Sequence, residues 1–360
     1  MNSATLAVAG SRKTQSIVDA CSKGDPGVRR LVLTYTLTGQ RDLSVRLQEA
    51  CPPGSVPDVM GWYSFLLHHW IKPFLTLKYT GRRLGGLNFD GLPAMAKGYV
   101  IATGQDRFLD EQSRAYKRFV SKLAIDVAEA SEGTSIARLQ RIYNEIYVDE
   151  VQDLTGYDLD VLEQLLSSTS AIKLVGDLRQ SVFDTNPQDP RHKKFRGLKM
   201  LDWFNEQRDA GRLEVVHSSV TWRSNQSIAT FSDRLFDPSF EFPATVSKQQ
   251  VATGHDGVYA VAPSHVADYV ATYRPICLRQ TVKTQTPDEL TATNFGVTKG
   301  LTHDRVLVFT TDPIRKFLTD GKPLADKSAC GLYVAVTRAV HSVAFVMDKP
   351  ENASVPTWQP

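Results

Sequence analysis

The sequence predicts an α/β protein with two tandem domains, each built on a parallel sheet. Short apolar runs alternate with amphipathic segments along both halves of the chain, which is the order of strands and helices in parallel sheets. A length of 360 residues allows two domains of ordinary size. We place these domains at residues 1–214 and 215–350, with an insertion at about 66–141 and a C-terminal tail at 351–360.

In the first half, apolar runs predict strands, and polar turns precede the predicted helices. The predicted elements are a strand at 5–10, a helix beginning at 16–21, a strand at 29–36, a helix at 40–50, strands at 145–148 and 171–175, and a helix at 200–210. From residue 61 to about 141 the pattern is less regular, with a Gly-rich interruption at 80–91 and two helices after it. That irregularity predicts the insertion.

The second half repeats the alternation of strands and helices. Its predicted elements are a helix at 225–235, a strand at 258–261, a helix at 265–273, strands at 275–279 and 305–309, helices at 313–319 and 330–339, and a strand at 342–347. This order predicts a second parallel sheet.

The composition is that of a soluble globular protein, with 42% hydrophobic and 22% charged residues. A formal charge of +3 is too small to indicate nucleic-acid binding by itself, so any basic surface must be local. The four cysteines are scattered without a CxxC pair, which indicates neither a zinc site nor a disulfide framework. The chain shows no signal peptide and no apolar membrane span, so we expect a cytoplasmic protein.

Two adjacent carboxylates, Asp149 and Glu150, follow the predicted strand at 145–148. Open α/β sheets bind ligands at this edge. One carboxylate can hold a Mg²⁺-bound water while its neighbour orients an attacking water, as nucleoside triphosphate hydrolysis requires. The alternative is an acidic helix N-terminus, because carboxylates stabilise the positive end of a helix dipole.

The segment AVAGSRKT at 7–14 lies between the first strand and the first helix, where a phosphate-binding loop is expected. Gly10 and Ser11 would cradle phosphates, Lys13 would reach the terminal ones, and Thr14 would supply a hydroxyl to Mg²⁺. The usual pattern has two further glycines, in place of which this chain has Ala7 and Arg12.

A third motif, GDLRQSVF, follows the strand at 171–175. Its Gln180 can hydrogen-bond both a γ-phosphate and an attacking water, so it can sense whether the phosphate is present.

The ordered motifs resemble those of UvrD/Rep-type superfamily 1 helicases: the phosphate loop, TYT, DEVQD, GDxxQS, WRS, KGLxxDRV and YVAVTRA. The resemblance spans nearly the whole chain, and it includes a compact UvrD-like family that lacks the large accessory subdomain. It implies two tandem RecA-like P-loop NTPase domains with a nucleotide bound between them. ATP and Mg²⁺ are the implied cofactors, and single-stranded DNA is the implied partner, with movement from 3′ to 5′.

Roles for individual residues follow from the same resemblance. It implies that Asp149 and Thr14 bind the metal, that Glu150 is the general base and that Gln180 senses the γ-phosphate. It also implies that Trp222 stacks on adenine and that Gly300 of the KGL motif contacts the nucleotide. Arg223 and Arg338 would lie at the γ-phosphate. Two guanidinium groups would neutralise charge that develops in the transition state.

The resemblance also implies a set of nucleic-acid contacts: Thr34, Tyr35, Thr36, Tyr63, Phe65 and Phe183. Stacking on such aromatics is worth about 1–3 kcal/mol per base and tolerates any sequence. Ordinary packing inside the protein is the alternative for these rings. RNA remains an alternative to DNA as the bound strand.

Three features depart from the larger family members. The chain begins shortly before Lys13, which leaves no room for the upstream glutamine motif that usually reads adenine. Arg12 places a bulky charge beside the phosphates, and Thr302 replaces the glutamate that commonly follows KGL and holds the ribose. A short segment between 279 and 294 stands where larger relatives carry a regulatory subdomain.

The sequence therefore predicts an ATP-dependent single-stranded DNA translocase or helicase. The alternative is an ATP-gated DNA-binding or signalling subunit that regulates a partner without unwinding, and that partner would be a nuclease or another replication, repair or defence factor. The reduced phosphate loop and the missing subdomain motivate this alternative.

Overall fold

The computed structural model describes residues 1–360 and divides into two compact units. The first unit comprises Met1–Thr5, Thr14–Gly176 and Asp184–Val216, and the second comprises Leu6–Lys13, Asp177–Phe183 and His217–Pro360. Two short segments in the first half of the chain, 6–13 and 177–183, therefore group with the second unit.

The first half of the chain forms a six-stranded sheet with two small two-stranded sheets in the insertion. Its strands are β1 (Ser3–Ala7), β2 (Arg30–Thr34), β3 (Asp58–Gly61), β4 (Gly86–Asn88), β5 (Met95–Ala96), β6 (Tyr99–Val100), β7 (Arg114–Tyr116), β8 (Glu145–Val148), β9 (Ala171–Gly176) and β10 (Glu214–Ser218). The main sheet has the order β10-β1-β9-β8-β2-β3, and β4 pairs with β7 and β5 with β6. The pairings of β2 with β3 and β8, and of β8 with β9, are parallel.

The helices of this half are α1 (Lys13–Lys23), α2 (Leu37–Ala50), α3 (Trp62–Phe65), α4 (Leu75–Lys78), α5 (Val120–Ala130), α6 (Thr134–Ile142), α7 (Tyr157–Leu166) and α8 (Met200–Asp209). A π-helix, Leu66–Ile71, continues directly from α3. The two helices predicted after the Gly-rich segment are α5 and α6. Five consecutive buried residues form β2, as expected for a strand covered on both faces.

The second unit contains a five-stranded parallel sheet of order β13-β17-β16-β14-β15. The strands of that sheet are β13 (Gly257–Val261), β14 (Ile276–Arg279), β15 (Ala292–Asn294), β16 (His303–Phe309) and β17 (Ala339–Val346). Two further strands, β11 (Val220–Thr221) and β12 (Val246–Ser247), form a separate two-stranded parallel sheet. The helices of the second unit are α9 (Gln226–Asp233), α10 (Val266–Tyr273), α11 (Asp312–Asp320) and α12 (Asp326–Val336). The predicted α/β class with tandem parallel sheets is therefore confirmed.

Residues 351–360, predicted as a tail, pack onto the second unit. Trp358 is only 9% exposed and joins the core cluster around Val261 and Leu307. The backbone N–H of Trp358 donates to the carbonyl of Ala260 at 2.8 Å.

No helix combines the length and the apolar composition that crossing a bilayer requires.

A buried histidine of the first unit predicts acid sensitivity. The ring of His69 is 7% exposed and lies 5.8 Å from the Phe65 ring and 5.5 Å from the Tyr143 ring, between centroids. Burial, and next the charge of Arg138, lowers the pKa of His69 from 6.5 to about 4. The unfolded chain therefore binds a proton that the folded chain excludes, so the free energy of unfolding should fall as pH drops from about 6.5 to about 4.

We expect His69→Phe to reduce the loss of unfolding free energy that acid causes. For a pKa shift of this size, the reduction is at most about 3 kcal/mol. The measurement is urea denaturation between pH 7.5 and pH 4.5. The neighbouring His68 is exposed, and its charge lowers the pKa of His69 less than burial and Arg138 do. His68→Phe therefore serves as the control and should keep most of the wild-type slope. If the unfolding free energy of His69→Phe falls with pH as steeply as that of wild type, His69 is not the cause of the acid sensitivity.

Candidate active site

The first unit brings the predicted metal residues together. Asp149 follows β8, and its backbone N–H donates to the Leu33 carbonyl of β2 at 2.8 Å. The Thr14 hydroxyl, in the first turn of α1, donates to Asp149 Oδ2 at 3.0 Å. A hydroxyl and a carboxylate are hard oxygen donors of the kind that Mg²⁺ prefers. Residues 135 positions apart in the chain thus form a pair that fits the implied metal.

Glu150 is held in an unusual backbone conformation beside this pair. Its φ of 56° lies in the left-handed region, which non-glycine residues rarely adopt. Its backbone N–H donates to Asp149 Oδ1 at 3.0 Å, and Gln152 Nε2 donates to its carboxylate. A Cβ on Gly176 would lie 2.4 Å from Gln152 Oε1. The glycine at the end of β9 therefore makes room for the amide that orients Glu150.

The phosphate-loop segment is shaped by contacts within the second unit. Gly10 has a φ of +73°, and a Cβ there would lie 2.6 Å from both Arg223 Cβ and Thr221 Oγ1. The Trp222 N–H donates to the Gly10 carbonyl at 2.9 Å. Ser11 Oγ is buried without a hydrogen-bond partner. A phosphate oxygen could accept a hydrogen bond from this hydroxyl, so its state is compatible with the predicted phosphate site.

Arg12 lies over the ring predicted to receive adenine. Its guanidinium carbon is 4.2 Å from the centroid of the Trp222 ring. Arg12 has a φ of 64°, a conformation that favours glycine. The residue that departs from the usual glycine therefore keeps the glycine backbone and covers part of the predicted base platform.

Trp222 allows this stack to be tested by fluorescence. It is 46% exposed, whereas Trp62, Trp70, Trp203 and Trp358 are 9% exposed or less. Arg12→Gly should increase acrylamide quenching of Trp222, because it removes an exposed cation–π contact worth about 0.5–1 kcal/mol and suits the left-handed backbone. In a Trp222→Phe background the same replacement should change nothing. Equal quenching with and without the Arg12 side chain would show that the stack does not persist in solution.

A buried hydrogen-bond network links Gln180 to Arg338 in the second unit. Asp177 Oδ2 accepts from Gln180 Nε2 at 2.8 Å and from the Tyr333 hydroxyl at 3.1 Å. Arg338 Nη2 donates to Gln180 Oε1 at 3.2 Å, and the Ala9 N–H donates to the Tyr333 oxygen at 2.9 Å. The predicted phosphate sensor and the second predicted arginine are therefore in direct contact, and the network reaches the loop before Gly10.

Arg223 is a largely buried cation of the second unit. Its guanidinium donates to the Thr337 carbonyl at 3.1 Å and forms no ion pair in the structure. Burial lowers the pKa of Arg223, only partly offset by Tyr333 and Asp177. A guanidinium held in this state is prepared to receive an anion.

The residues predicted to contact nucleic acid separate into exposed and buried groups. Tyr35 and Tyr63 are half-buried with ring centroids 5.8 Å apart, and Phe183 is 42% exposed. Thr34 and Phe65 are 2% and 0% exposed. For these two the prediction is corrected, because their side chains lie inside the protein and Phe65 packs against Trp62 and Trp70.

Two other predicted residues have structural roles. The Thr36 hydroxyl accepts from the Gly39 N–H at 3.1 Å and caps α2. Gly300 has a φ of +88° in an open turn. Thr36 and Gly300 are both exposed, and their ligand contacts stay predictions.

Sequence reasoning missed three residues of the site: Gln152, Asp177 and Tyr333. Asp177 directly follows β9, as Asp149 follows β8, so a carboxylate at a strand end is the signal that could have found it. Gln152 lies two positions after Glu150 within the DEVQD motif. Tyr333, which is 1% exposed in α12, is the first residue of the YVAVTRA motif, so its place in that motif is the signal that could have found it.

Comparisons with known proteins agree with these motifs. Residues 107–188 match the family model of the UvrD/REP helicase N-terminal domain, which confirms the predicted resemblance to UvrD/Rep-type proteins. An ATP-dependent helicase/nuclease subunit of Limosilactobacillus fermentum is 28% identical over 163 residues. That alignment covers 43% of this chain and 10% of the relative, so the chain spans about a tenth of the curated relative it matches.

Among solved structures, the Arterivirus nonstructural protein 10 helicase is similar, with a TM-score of 0.46 and 14% identity over 96% of this chain and 59% of that chain. The same viral helicase in complex with DNA gives a TM-score of 0.46 and 13% identity over 96% of this chain and 61% of that one.

Proposed function

We propose that this chain, UvrD-like by its motifs and by the family match, is an ATP-dependent motor that translocates 3′ to 5′ on single-stranded DNA. The observation that carries the proposal is the contact of the Thr14 hydroxyl with Asp149 at 3.0 Å. It joins the phosphate-loop motif to the acidic motif, and these two motifs are the ones that would share a Mg²⁺–nucleotide complex.

Each residue has a distinct task in ATP hydrolysis. Lys13 binds the terminal phosphates, and Thr14 and Asp149 would hold Mg²⁺, which when bound neutralises phosphate charge. Glu150, oriented by Gln152, accepts a proton from the attacking water. Gln180 detects the γ-phosphate, and its bond to Arg338 passes that information to α12.

Adenine recognition is assigned to Trp222, with Ser11 and Gly300 at the phosphates and sugar. The exposed face of Trp222 offers a stacking surface. Displacement of the Arg12 side chain by the base would couple nucleotide binding to a change in the phosphate loop.

The proposal is tested by measuring ATP hydrolysis with and without single-stranded DNA and RNA, together with strand displacement from a tailed duplex. DNA-stimulated hydrolysis supports the motor, and the comparison with RNA identifies the strand. Absence of hydrolysis under all conditions would refute it.

A second candidate is an ATP-gated subunit that regulates a nuclease. It is favoured by the curated relative, which is a helicase/nuclease subunit many times longer than the matched region. ATP-dependent capture of a nuclease without strand displacement would support this candidate over an independent motor. Both candidates act in the cytoplasm, where ATP is available.

A further inference from the structure

We propose that a patch on the insertion of the first unit binds single-stranded nucleic acid and extends the track begun by Tyr35 and Tyr63. The insertion patch consists of Phe89, Arg107, Lys117, Arg118 and Phe119. None of these residues belongs to the motifs that define the nucleotide site or the predicted contacts. The inference rests on the proposed function, because it concerns the path of the same strand.

Lys117 and Phe89 of the patch adjoin the predicted contacts through an unbroken series of ring and cation contacts. The ring centroids of Tyr35 and Tyr63 are 5.8 Å apart. Lys117 Nζ lies 5.8 Å from the Tyr63 centroid and 4.1 Å from the Phe89 centroid. One ammonium therefore bridges a predicted DNA contact and an aromatic ring of the insertion.

The cations of the patch have no carboxylate partners. Arg107, Lys117 and Arg118 form no ion pair in the structure. Two exposed aspartates are nevertheless adjacent to patch residues in the sequence, Asp90 to Phe89 and Asp106 to Arg107. Other basic residues of the first unit are paired, including Arg46, Arg114, Lys122, Arg191 and Lys194. Unpaired cations beside aromatic rings are suited to phosphates that accompany stacked bases.

The aromatic rings of the patch contact these cations and remain partly exposed to solvent. Phe89 is 57% exposed. The guanidinium carbons of Arg107 and Arg118 lie 5.4 Å and 5.3 Å from the Phe119 centroid. An acidic peptide would use only the charges, whereas a single strand uses the rings and the charges together. We therefore assign the patch to a single strand.

Equilibrium binding of fluorescein-labelled oligothymidylate, followed by anisotropy, tests this assignment. Phe89→Ala should weaken binding about 5- to 150-fold, the loss expected for one stacked base, whereas Phe89→Trp should retain affinity. An abasic oligonucleotide of equal length should bind Phe89→Ala and wild type equally. Lys117→Gln should reduce the slope of log K against log salt by about 0.7, the value for one phosphate contact to a single strand.

Two matched variants control for general effects. Tyr99→Ala removes a ring that is 77% exposed in the same insertion. Lys194→Gln removes an ammonium that also lies over a phenyl ring, 4.3 Å from the Phe195 centroid, but pairs with Glu206. Both should bind oligothymidylate as wild type does, and all variants should keep the wild-type melting temperature.

The outcomes separate this inference from the proposed function. If wild type binds the oligonucleotide and its ATP hydrolysis is stimulated, but the Phe89 and Lys117 variants match it, the patch proposal is overturned and the motor proposal stands. If wild type binds no oligonucleotide, both are overturned. Binding of poly-glutamate that is lost in Lys117→Gln, without an effect on oligonucleotide affinity, also overturns the patch proposal.

Discussion

Glu150→Gln is expected to lower kcat for ATP hydrolysis by about 10²–10⁴-fold, the usual contribution of a general base, while ATP still binds. Glutamine keeps the size of the side chain but cannot accept a proton from water. It can still hydrogen-bond Gln152, so the left-handed backbone at Glu150 should persist. Single-turnover hydrolysis and binding of a fluorescent ATP analogue measure the two quantities separately.

The chain offers a close control for this variant. Glu132 is a second glutamate with a left-handed backbone, at φ 49°, and it is exposed in the same unit. Glu132→Gln should therefore leave both hydrolysis and binding unchanged. Retention of wild-type kcat by Glu150→Gln would remove Glu150 from the chemistry, and equal losses in both variants would indicate a backbone effect instead.

The pairing of Thr14 with Asp149 was predictable because it follows from topology. Parallel strands present their carboxyl ends at one edge of a sheet, so motifs that follow two such strands meet wherever the strands lie in the chain. The same reasoning located Gln180 after β9.

The burial of Phe65 could not be predicted from the sequence pattern. Tyr63 and Phe65 are two positions apart on α3, and a helix turns that separation through about 200°, slightly more than a half circle. One ring is therefore half-buried while the other lies inside. The direct continuation of α3 into a π-helix further changes which face is buried. No apolar periodicity in this aromatic-rich segment distinguishes the two rings.

The stack of Arg12 on Trp222 was hidden for a different reason. The two residues are 210 positions apart, and their contact depends on a left-handed backbone at Arg12. Sequence alone identified Arg12 as a departure from the usual glycine, but a departure does not reveal the partner. The hypothesis that Arg12 affects base binding therefore required the positions of both side chains.

Arg223→Met is expected to reduce kcat by about 10³–10⁵-fold, the contribution of an arginine that stabilises transition-state charge in phosphoryl transfer. The nucleotide-free protein should meanwhile be as stable as wild type or more so. Arg223 is a largely buried cation without an ion pair and with a lowered pKa, and replacing a charge in that state with an apolar side chain of similar length removes a desolvation cost.

Arg338→Met provides the contrast, because that guanidinium is integrated into the fold. It is 1% exposed and donates to the Val334 and Leu301 carbonyls, to Gln180 Oε1 and to the Thr337 hydroxyl. Its loss should lower the free energy of unfolding by about 1–3 kcal/mol, since buried acceptors remain unsatisfied, as well as lowering kcat. Thermal denaturation with and without an ATP analogue separates the two arginines. A destabilised Arg223→Met protein, or one with full turnover, would mean that Arg223 supports the fold rather than the reacting phosphate.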